Sequence, residues 1–140
     1  CEVLACNMRL RVAERGPFTY PDVLVVCDKA VHVDEKMDTL LNPKVLFEVL
    51  SDATEATDRG WKWAHYRHLA SLAEYVMIAQ DQCRVEQYVR HPDGDWLFRE
   101  YRNLEDSLRL PSLDCEIALA DIYHRVELRG ETSSPPPSTQ

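Results

Sequence analysis

The sequence lacks any long hydrophobic run, and this excludes a membrane-spanning helix. Such a helix needs roughly 20 apolar residues, whereas the longest strand-like apolar run, at residues 23–27, is far shorter. The beginning of the chain also lacks the charged, apolar and small-residue pattern of a signal peptide. We therefore expect a cytoplasmic protein that does not enter the membrane.

The sequence also lacks paired cysteines. Its five cysteines form no CxxC pair and no zinc-ribbon spacing, which argues against a zinc module. An odd, scattered set in a chain of this size is typical of reduced thiols in a cytosolic protein. Free cysteine is usually buried as a small apolar residue, and we predict that role here.

An excess of basic residues is missing as well. The chain has 16 Lys and Arg against 24 Asp and Glu, a net charge of −8. A passive nucleic-acid binder usually presents a basic field, because phosphate contacts dominate its affinity. A nuclease is still compatible with this balance, since metal-binding carboxylates add negative charge that bound cations offset.

The 140 residues are enough for one domain, which we place at 1–128. Apolar runs predict two strands buried on both faces, and a helix-forming stretch lies between the second of them and several alternating strands. The Ser, Thr and Pro-rich tail at 129–140 is predicted to be disordered. The predicted elements, in chain order, are a hairpin of 2–5 and 8–12 around Cys6-Asn7, a strand at 23–27, a loop at 28–42, a strand at 45–50, a helix from about 51–57 to Leu69, strands at 74–79, 85–90, 96–101 and 108–110, and a short helix at 119–126.

This order of strands and helices predicts an α/β (α+β) fold, with a mixed central β-sheet flanked by helices. The face that the long helix turns to the core is ambiguous, because aromatic residues crowd it. Either Trp61 with His65, or Trp63 with Tyr66, could face the sheet.

The candidate site is indicated by two acids at unusual positions. Asp22 directly precedes one buried strand, and Glu48 lies inside the other. An ionised carboxylate in a buried strand is costly unless a partner compensates it. If the two strands are neighbours, Asp22 and Glu48 supply two oxygen ligands for Mg²⁺ or Mn²⁺. Lys62, on the following helix, could then reach the same point and assist phosphodiester hydrolysis.

Each of these residues also has an ordinary explanation. Asp22 could cap a turn after Pro21, and Glu48 could form an ion pair with Arg59. Lys62 follows Asp58 by four residues, the spacing of a surface ion pair on a helix. By spacing alone the two interpretations stay open.

A family resemblance favours the catalytic interpretation. The chain resembles the Uma2 family of endonucleases, a branch of the PD-(D/E)XK superfamily with a restriction-endonuclease-like fold. The matching stretches are YPDVLVVC at 20–27, LLNPKVLFEVLS at 40–51, TDRGWKWAHYR at 57–67, SLAEYVMI at 71–78 and LADIY at 119–123. Members of the family have a helix and strands before the equivalent of Cys1, so we expect that the N-terminal part of the family domain is missing.

The resemblance implies an Mg²⁺- or Mn²⁺-dependent endonuclease that hydrolyses DNA phosphodiester bonds. It makes Asp22 and Glu48 the metal ligands and Lys62 the catalytic lysine. The side chains expected around them, as supporting or substrate-groove residues, are Tyr20, Asp58, Arg59 and His65. Nucleases of this fold commonly pair, so a homodimer is expected. The alternative is a catalytically inactive binding or assembly module that has kept the nuclease fold.

Overall fold

The structure is a computed structural model that describes residues 1–5, 8–12, 17–33 and 39–128. The predicted tail at 129–140 and the predicted turn at Cys6-Asn7 lie outside these ranges. Within them, no helix has the length and the apolar character needed to cross a membrane.

The strands of the described ranges are β1 (Glu2–Ala5), β2 (Arg9–Arg11), β3 (Phe18–Thr19), β4 (Val23–Val26), β5 (Thr39–Leu40), β6 (Val45–Leu50), β7 (Glu74–Ala79), β8 (Val85–Arg90), β9 (Trp96–Tyr101), β10 (Ser107–Leu110) and β11 (Cys115–Ala118). The helical pieces are α1 (Glu55–Thr57), a π-helical turn (Asp58–Lys62), α2 (Trp63–Tyr66), a 3₁₀ turn (Pro111–Leu113) and α3 (Leu119–Ile122). The first three of these follow without a break and are called the 55–66 helix. It confirms the predicted long helix over a shorter range.

The central element is a six-stranded sheet in the order β1-β4-β6-β7-β8-β9. Strands β6 and β7 are parallel, and every other neighbouring pair in this sheet is antiparallel. A parallel pair needs a crossover connection, and the 55–66 helix supplies it. The predicted mixed sheet with helices packed on it is therefore confirmed.

The two faces of this sheet are both covered. Because side chains alternate along a strand, Leu46 and Tyr75 point toward the 55–66 helix, into a core shared with Leu24. Val45 and Val76 point the other way, toward the β10–β11 hairpin and α3. This double burial explains why β4 and β6 have continuous apolar sequences.

Three details of the predicted elements are wrong. The predicted hairpin of 2–5 and 8–12 does not form, because β1 pairs with β4 while β2 pairs with β3 and β5 in a separate small sheet. The predicted loop at 28–42 contains β5. The last helix ends at Ile122 instead of 126, since the backbone turns at Tyr123 and Arg125 has a φ of 63°.

The expectation of reduced cysteines is also wrong for one pair. Cys1 and Cys27 form a disulfide between the ends of β1 and β4. The antiparallel register pairs Glu2 with Val26. Cys1 precedes Glu2 and Cys27 follows Val26, so the two cysteines lie opposite each other. Cys115 is exposed, although it was predicted to be buried, and Cys83 is half-buried.

A buried polar network attaches the β10–β11 hairpin to the sheet. Glu74, on β7, is fully buried and accepts a hydrogen bond from Gln87 Nε2 at 2.6 Å. Its other oxygen accepts hydrogen bonds from the backbone N–H of Ser112, at 2.9 Å, and from the Ser112 hydroxyl. Gln87 also donates to the carbonyl of Arg109 at 2.7 Å. The Glu74 carboxylate thus accepts hydrogen bonds from neutral donors on β8 and on the turn between β10 and β11.

We expect Glu74→Gln to lower the free energy of unfolding by about 1–3 kcal/mol, because the new amide group leaves a buried donor without an acceptor. Urea denaturation of both proteins measures the difference. The control is Glu116→Gln, an exposed carboxylate paired with Arg109 on the surface, which should change stability by about 0.5 kcal/mol or less. Equal stability of the two variants would contradict the proposed role of Glu74.

Because of Tyr123, the free energy of unfolding should change with pH in the alkaline range. Its hydroxyl donates to the carbonyl of Ala79 at 2.9 Å, and burial raises the pKa of Tyr123 above its usual value. A raised pKa in the folded state gives stability that is present below the unfolded value of about 10 and is lost as pH rises through the folded value. Tyr123→Phe should therefore be about 1 kcal/mol less stable than wild type at pH 7, and this gap should narrow above pH 10. A gap that widens there in urea denaturation would contradict the assignment.

Candidate active site

The site is built around Glu48, an acid inside the central strand β6. Alternation along β6 puts its side chain on the same face as Leu46 and Leu50, beneath the 55–66 helix. Glu48 is 2% exposed. A carboxylate at this depth stays ionised only if the protein replaces the water it has lost.

Two donors from the 55–66 helix contact this carboxylate. Lys62 Nζ lies 3.3 Å from Glu48 Oε1, and the Tyr66 hydroxyl donates to the same oxygen at 3.0 Å. The two donors are four residues apart, which puts them on one side of a helix. The helix therefore brings a charge and a hydrogen bond to the buried acid.

Asp22 directly precedes β4 and lies opposite Glu48 on the neighbouring strand. The register pairs Val23 with Phe47, so the next position along each strand is occupied by Asp22 and by Glu48. Asp22 Oδ2 also accepts a hydrogen bond from the backbone N–H of Val49 at 2.6 Å. The Asp22 side chain thus binds to the neighbouring strand β6, one residue after Glu48, instead of capping the turn after Pro21. Residues that are 26 apart in the sequence become neighbours.

The alternative partner suggested for Glu48 is occupied elsewhere. Arg59 contacts Glu86 through both guanidinium ends, one of them at 2.6 Å, and this hydrogen bonding raises the pKa of Arg59. Arg84 joins the same cluster, 3.2 Å from Glu86 and 2.6 Å from Glu55. Arg59 therefore attaches the 55–66 helix to β8, while Lys62 contacts Glu48 on β6.

The remaining predicted residues lie on the segments that carry Thr19 and Lys62. Tyr20 is 60% exposed and follows Thr19, whose hydroxyl contacts Tyr66. His65 packs against the exposed ring of Trp61, with ring centroids 4.5 Å apart. The side chain of Asp58 is outside the described part of the chain, so its predicted contact with Lys62 stays a prediction.

Two residues at the centre were missed by sequence reasoning. Tyr66 is fully buried, and its hydroxyl lies between Glu48 and Thr19 Oγ1, 3.0 Å from each. The signal in the sequence was the spacing of four from Lys62, which puts both residues on one helix face. Thr19 gives no such signal, because it lies 29 residues before Glu48 on the short strand β3.

Arg90 fixes the chain just beyond this helix. Its guanidinium donates to the carbonyls of Leu69 and Leu72, at 2.8 and 2.7 Å, and its charge lies 4.4 Å from the centre of the Trp96 ring. Basic side chains commonly satisfy the last carbonyls of a helical segment in this way. The position of Lys62 and Tyr66 relative to the sheet is therefore set from both ends.

The residues present fit a hard divalent cation. In the described part of the chain, no group of three or more His, Cys, Asp or Glu side chains could hold a metal ion. Mg²⁺ commonly takes one or two protein carboxylates and completes its shell with water and substrate phosphate. Asp22 and Glu48 stand at facing positions of adjacent strands and supply donors of this kind and number.

Comparison with known proteins shows which family the chain matches. Residues 1–120 match the family described as "Uma2: Putative restriction endonuclease". An uncharacterized protein of Synechocystis sp. strain PCC 6803, slr1290, is 33% identical over 124 residues, which are 88% of this chain and 63% of that protein. A second one, sll1609, is 35% identical over 99 residues, 71% of this chain and 56% of that protein. The chain therefore spans less than two thirds of the length of these relatives.

The fold is also similar to a solved structure. The crystal structure of a putative nuclease belonging to DUF820, from Anabaena variabilis, superimposes with a TM-score of 0.68 at 16% sequence identity. The match covers 86% of this chain and 66% of that one. At this identity the likeness concerns the fold, whereas the family assignment rests on the sequence match. The chain thus belongs to the Uma2 family of nuclease-like proteins and has a restriction-endonuclease-like fold.

Proposed function

We propose that this protein is a metal-dependent endonuclease that hydrolyses DNA phosphodiester bonds at Asp22, Glu48 and Lys62. The observation that carries the proposal is the contact between Lys62 and the buried Glu48, 3.3 Å apart, with Asp22 at the adjacent strand end. Family membership supports it, because the Uma2 description names restriction endonucleases.

In this proposal Asp22 and Glu48 hold Mg²⁺ or Mn²⁺. When bound, such an ion polarises the phosphoryl group and lowers the pKa of a water ligand. The protein's contribution is a pair of carboxylates whose position is fixed before substrate arrives. Preorganisation of this kind reduces the rearrangement needed during the reaction.

Lys62 has a separate role. Its side chain is 18% exposed, so part of it is accessible to solvent. Its charge stabilises the negative charge that develops on the phosphate oxygens, and its N–H groups orient the attacking water.

The proposed substrate is DNA, and the attraction between protein and DNA has to come from a small part of the protein surface. With a net charge of −8, the whole chain repels a polyanion, so attraction comes from the site itself and falls with added salt. Tyr20 and Trp61 add exposed aromatic surface on segments next to the site, and aromatic rings of this kind stack on bases.

We expect Glu48→Gln and the double variant Glu48→Gln/Lys62→Met to reduce cleavage of supercoiled plasmid at least 100-fold in Mg²⁺ or Mn²⁺. Changing both partners avoids leaving one buried charge without its partner, which would destabilise the fold. Gel analysis of nicked and linear products measures the rate, and EDTA should abolish it. The matched control, Lys29→Met, removes an exposed lysine and should leave the rate unchanged.

Calorimetric titration with Mn²⁺ gives a second measurement, to which Asp22→Asn is added. Asp22→Asn and Glu48→Gln should weaken binding, whereas Lys29→Met should not. Cleavage that proceeds equally well in the Glu48 variants would remove Glu48 from the mechanism and with it the proposed function.

A second candidate function is a catalytically inactive assembly module with the nuclease fold. It is favoured by an apolar groove of about 400 Å³ between the main sheet and the β10–β11 hairpin. Val3 and Val49, which line this groove, are 66% and 46% exposed, and exposed apolar surface of this kind marks interaction sites.

The groove is tested with Val3→Asp, and the inactive module is tested by DNA cleavage. If the groove joins two copies in a homodimer, light scattering should give the dimer mass for wild type and the monomer mass for Val3→Asp. The control Glu116→Gln should keep the wild-type mass. A wild-type monomer at high concentration would contradict the homodimer, and DNA cleavage by wild type would contradict the inactive module.

A further inference from the structure

The hydroxyl of Tyr66 occupies a position that the proposed reaction has not yet used. It lies 3.0 Å from Glu48 Oε1 and 3.0 Å from Thr19 Oγ1. All three residues are at most 7% exposed. The phenol therefore links the candidate metal ligand on β6 to strand β3, which belongs to a different sheet.

The direction of these hydrogen bonds follows from the number of hydrogens. A phenol has one hydrogen, and an ionised carboxylate is a stronger acceptor than a neutral hydroxyl. That hydrogen is therefore directed to Glu48 when the acid is ionised. The hydroxyl of Thr19 rotates freely and can direct its own hydrogen to the phenol oxygen.

Tyr66 and Lys62 act on Glu48 in different ways, although both contact Oε1. An ammonium carries three rotatable donors on a flexible stem and attracts the carboxylate with little directional preference. The phenol of Tyr66 is rigid and packs edge-on against Tyr75, with ring centroids 5.1 Å apart. It therefore fixes the rotation of the carboxylate as well as attracting it.

We propose that Tyr66 is a positioning residue, which sets the orientation of the Glu48 carboxylate toward a divalent cation with the help of Thr19. This inference rests on the proposed function, since it assigns Glu48 the role of metal ligand. Groups that hold a ligand through a hydrogen bond typically change metal affinity or activity by 10–100-fold when they are removed.

The experiment compares Tyr66→Phe, Thr19→Val and Thr19→Ser with wild type. Mn²⁺ affinity is measured by calorimetry without DNA, and kcat and KM are measured with a DNA oligonucleotide. Tyr66→Phe should weaken Mn²⁺ binding about tenfold or more and lower kcat by a similar factor, with little change in KM. Thr19→Val should have a smaller effect in the same direction, and Thr19→Ser, which keeps the hydroxyl, should restore wild-type values.

The double variant Tyr66→Phe/Thr19→Val tests whether the two residues act as one unit. If Thr19 acts through the phenol, the double variant should be no worse than Tyr66→Phe alone, so the effects are not additive. Tyr123→Phe is the matched control, because it also removes a buried phenol hydroxyl but on the opposite face of the sheet. It should leave Mn²⁺ affinity and kcat unchanged.

The failure of this inference can be distinguished from the failure of the proposed function. Wild-type Mn²⁺ affinity and kcat in Tyr66→Phe would overturn the inference, while the results for Glu48 and Lys62 would still stand. Equal losses in Tyr66→Phe and Tyr123→Phe would show a general packing effect and would also overturn it. If Tyr66→Phe is too unstable to measure, Thr19→Val and Thr19→Ser decide between the same outcomes. A wild-type protein that neither binds Mn²⁺ nor cuts DNA would overturn both proposals together.

Discussion

The burial of Glu48 in the central strand is the constraint on which the rest of this structure depends. Removing an ionised carboxylate from water costs several kcal/mol, even after the protein has relaxed around it. Lys62 and Tyr66 offset that cost, and both come from the 55–66 helix. Docking of this helix on the sheet and completion of the site are therefore the same structural event.

The 55–66 helix depends on the sheet in return. It is short, it contains a π-helical turn, and Gly60 lies in that turn, so it would be marginal as an isolated helix. Arg59 attaches it to Glu86 on β8, and Arg90 binds the carbonyls that follow it. A helix held at several points presents its functional side chains with less freedom than a loop would. The same contacts explain how Glu48 and Glu86 can be buried beneath this helix.

Membership of the Uma2 family is compatible with the distant fold relative because few residues need to be kept. A mixed sheet with a covering helix can be built from many apolar sequences of suitable volume, which accounts for 16% identity at a TM-score of 0.68. The proposed chemistry needs only an acid directly before β4, an acid inside β6 and a lysine on the helix. Function therefore has to be argued from these side chains and not from the fold alone.

The sequence by itself determined the main elements and the location of the candidate site. The runs at 23–26 and 45–50 are strands because their β-branched and apolar residues fit a sheet that is buried on both faces, and an acid inside such a run already required a partner. The tertiary structure alone decided which partners meet. It paired β1 with β4 instead of with the segment that follows β1, and it joined Cys1 to Cys27. It also paired Arg59 with Glu86 and brought Tyr66 and Thr19 close to Glu48. Local patterns determine how a segment folds, but register and side-chain partners depend on contacts between distant segments, which no local pattern contains.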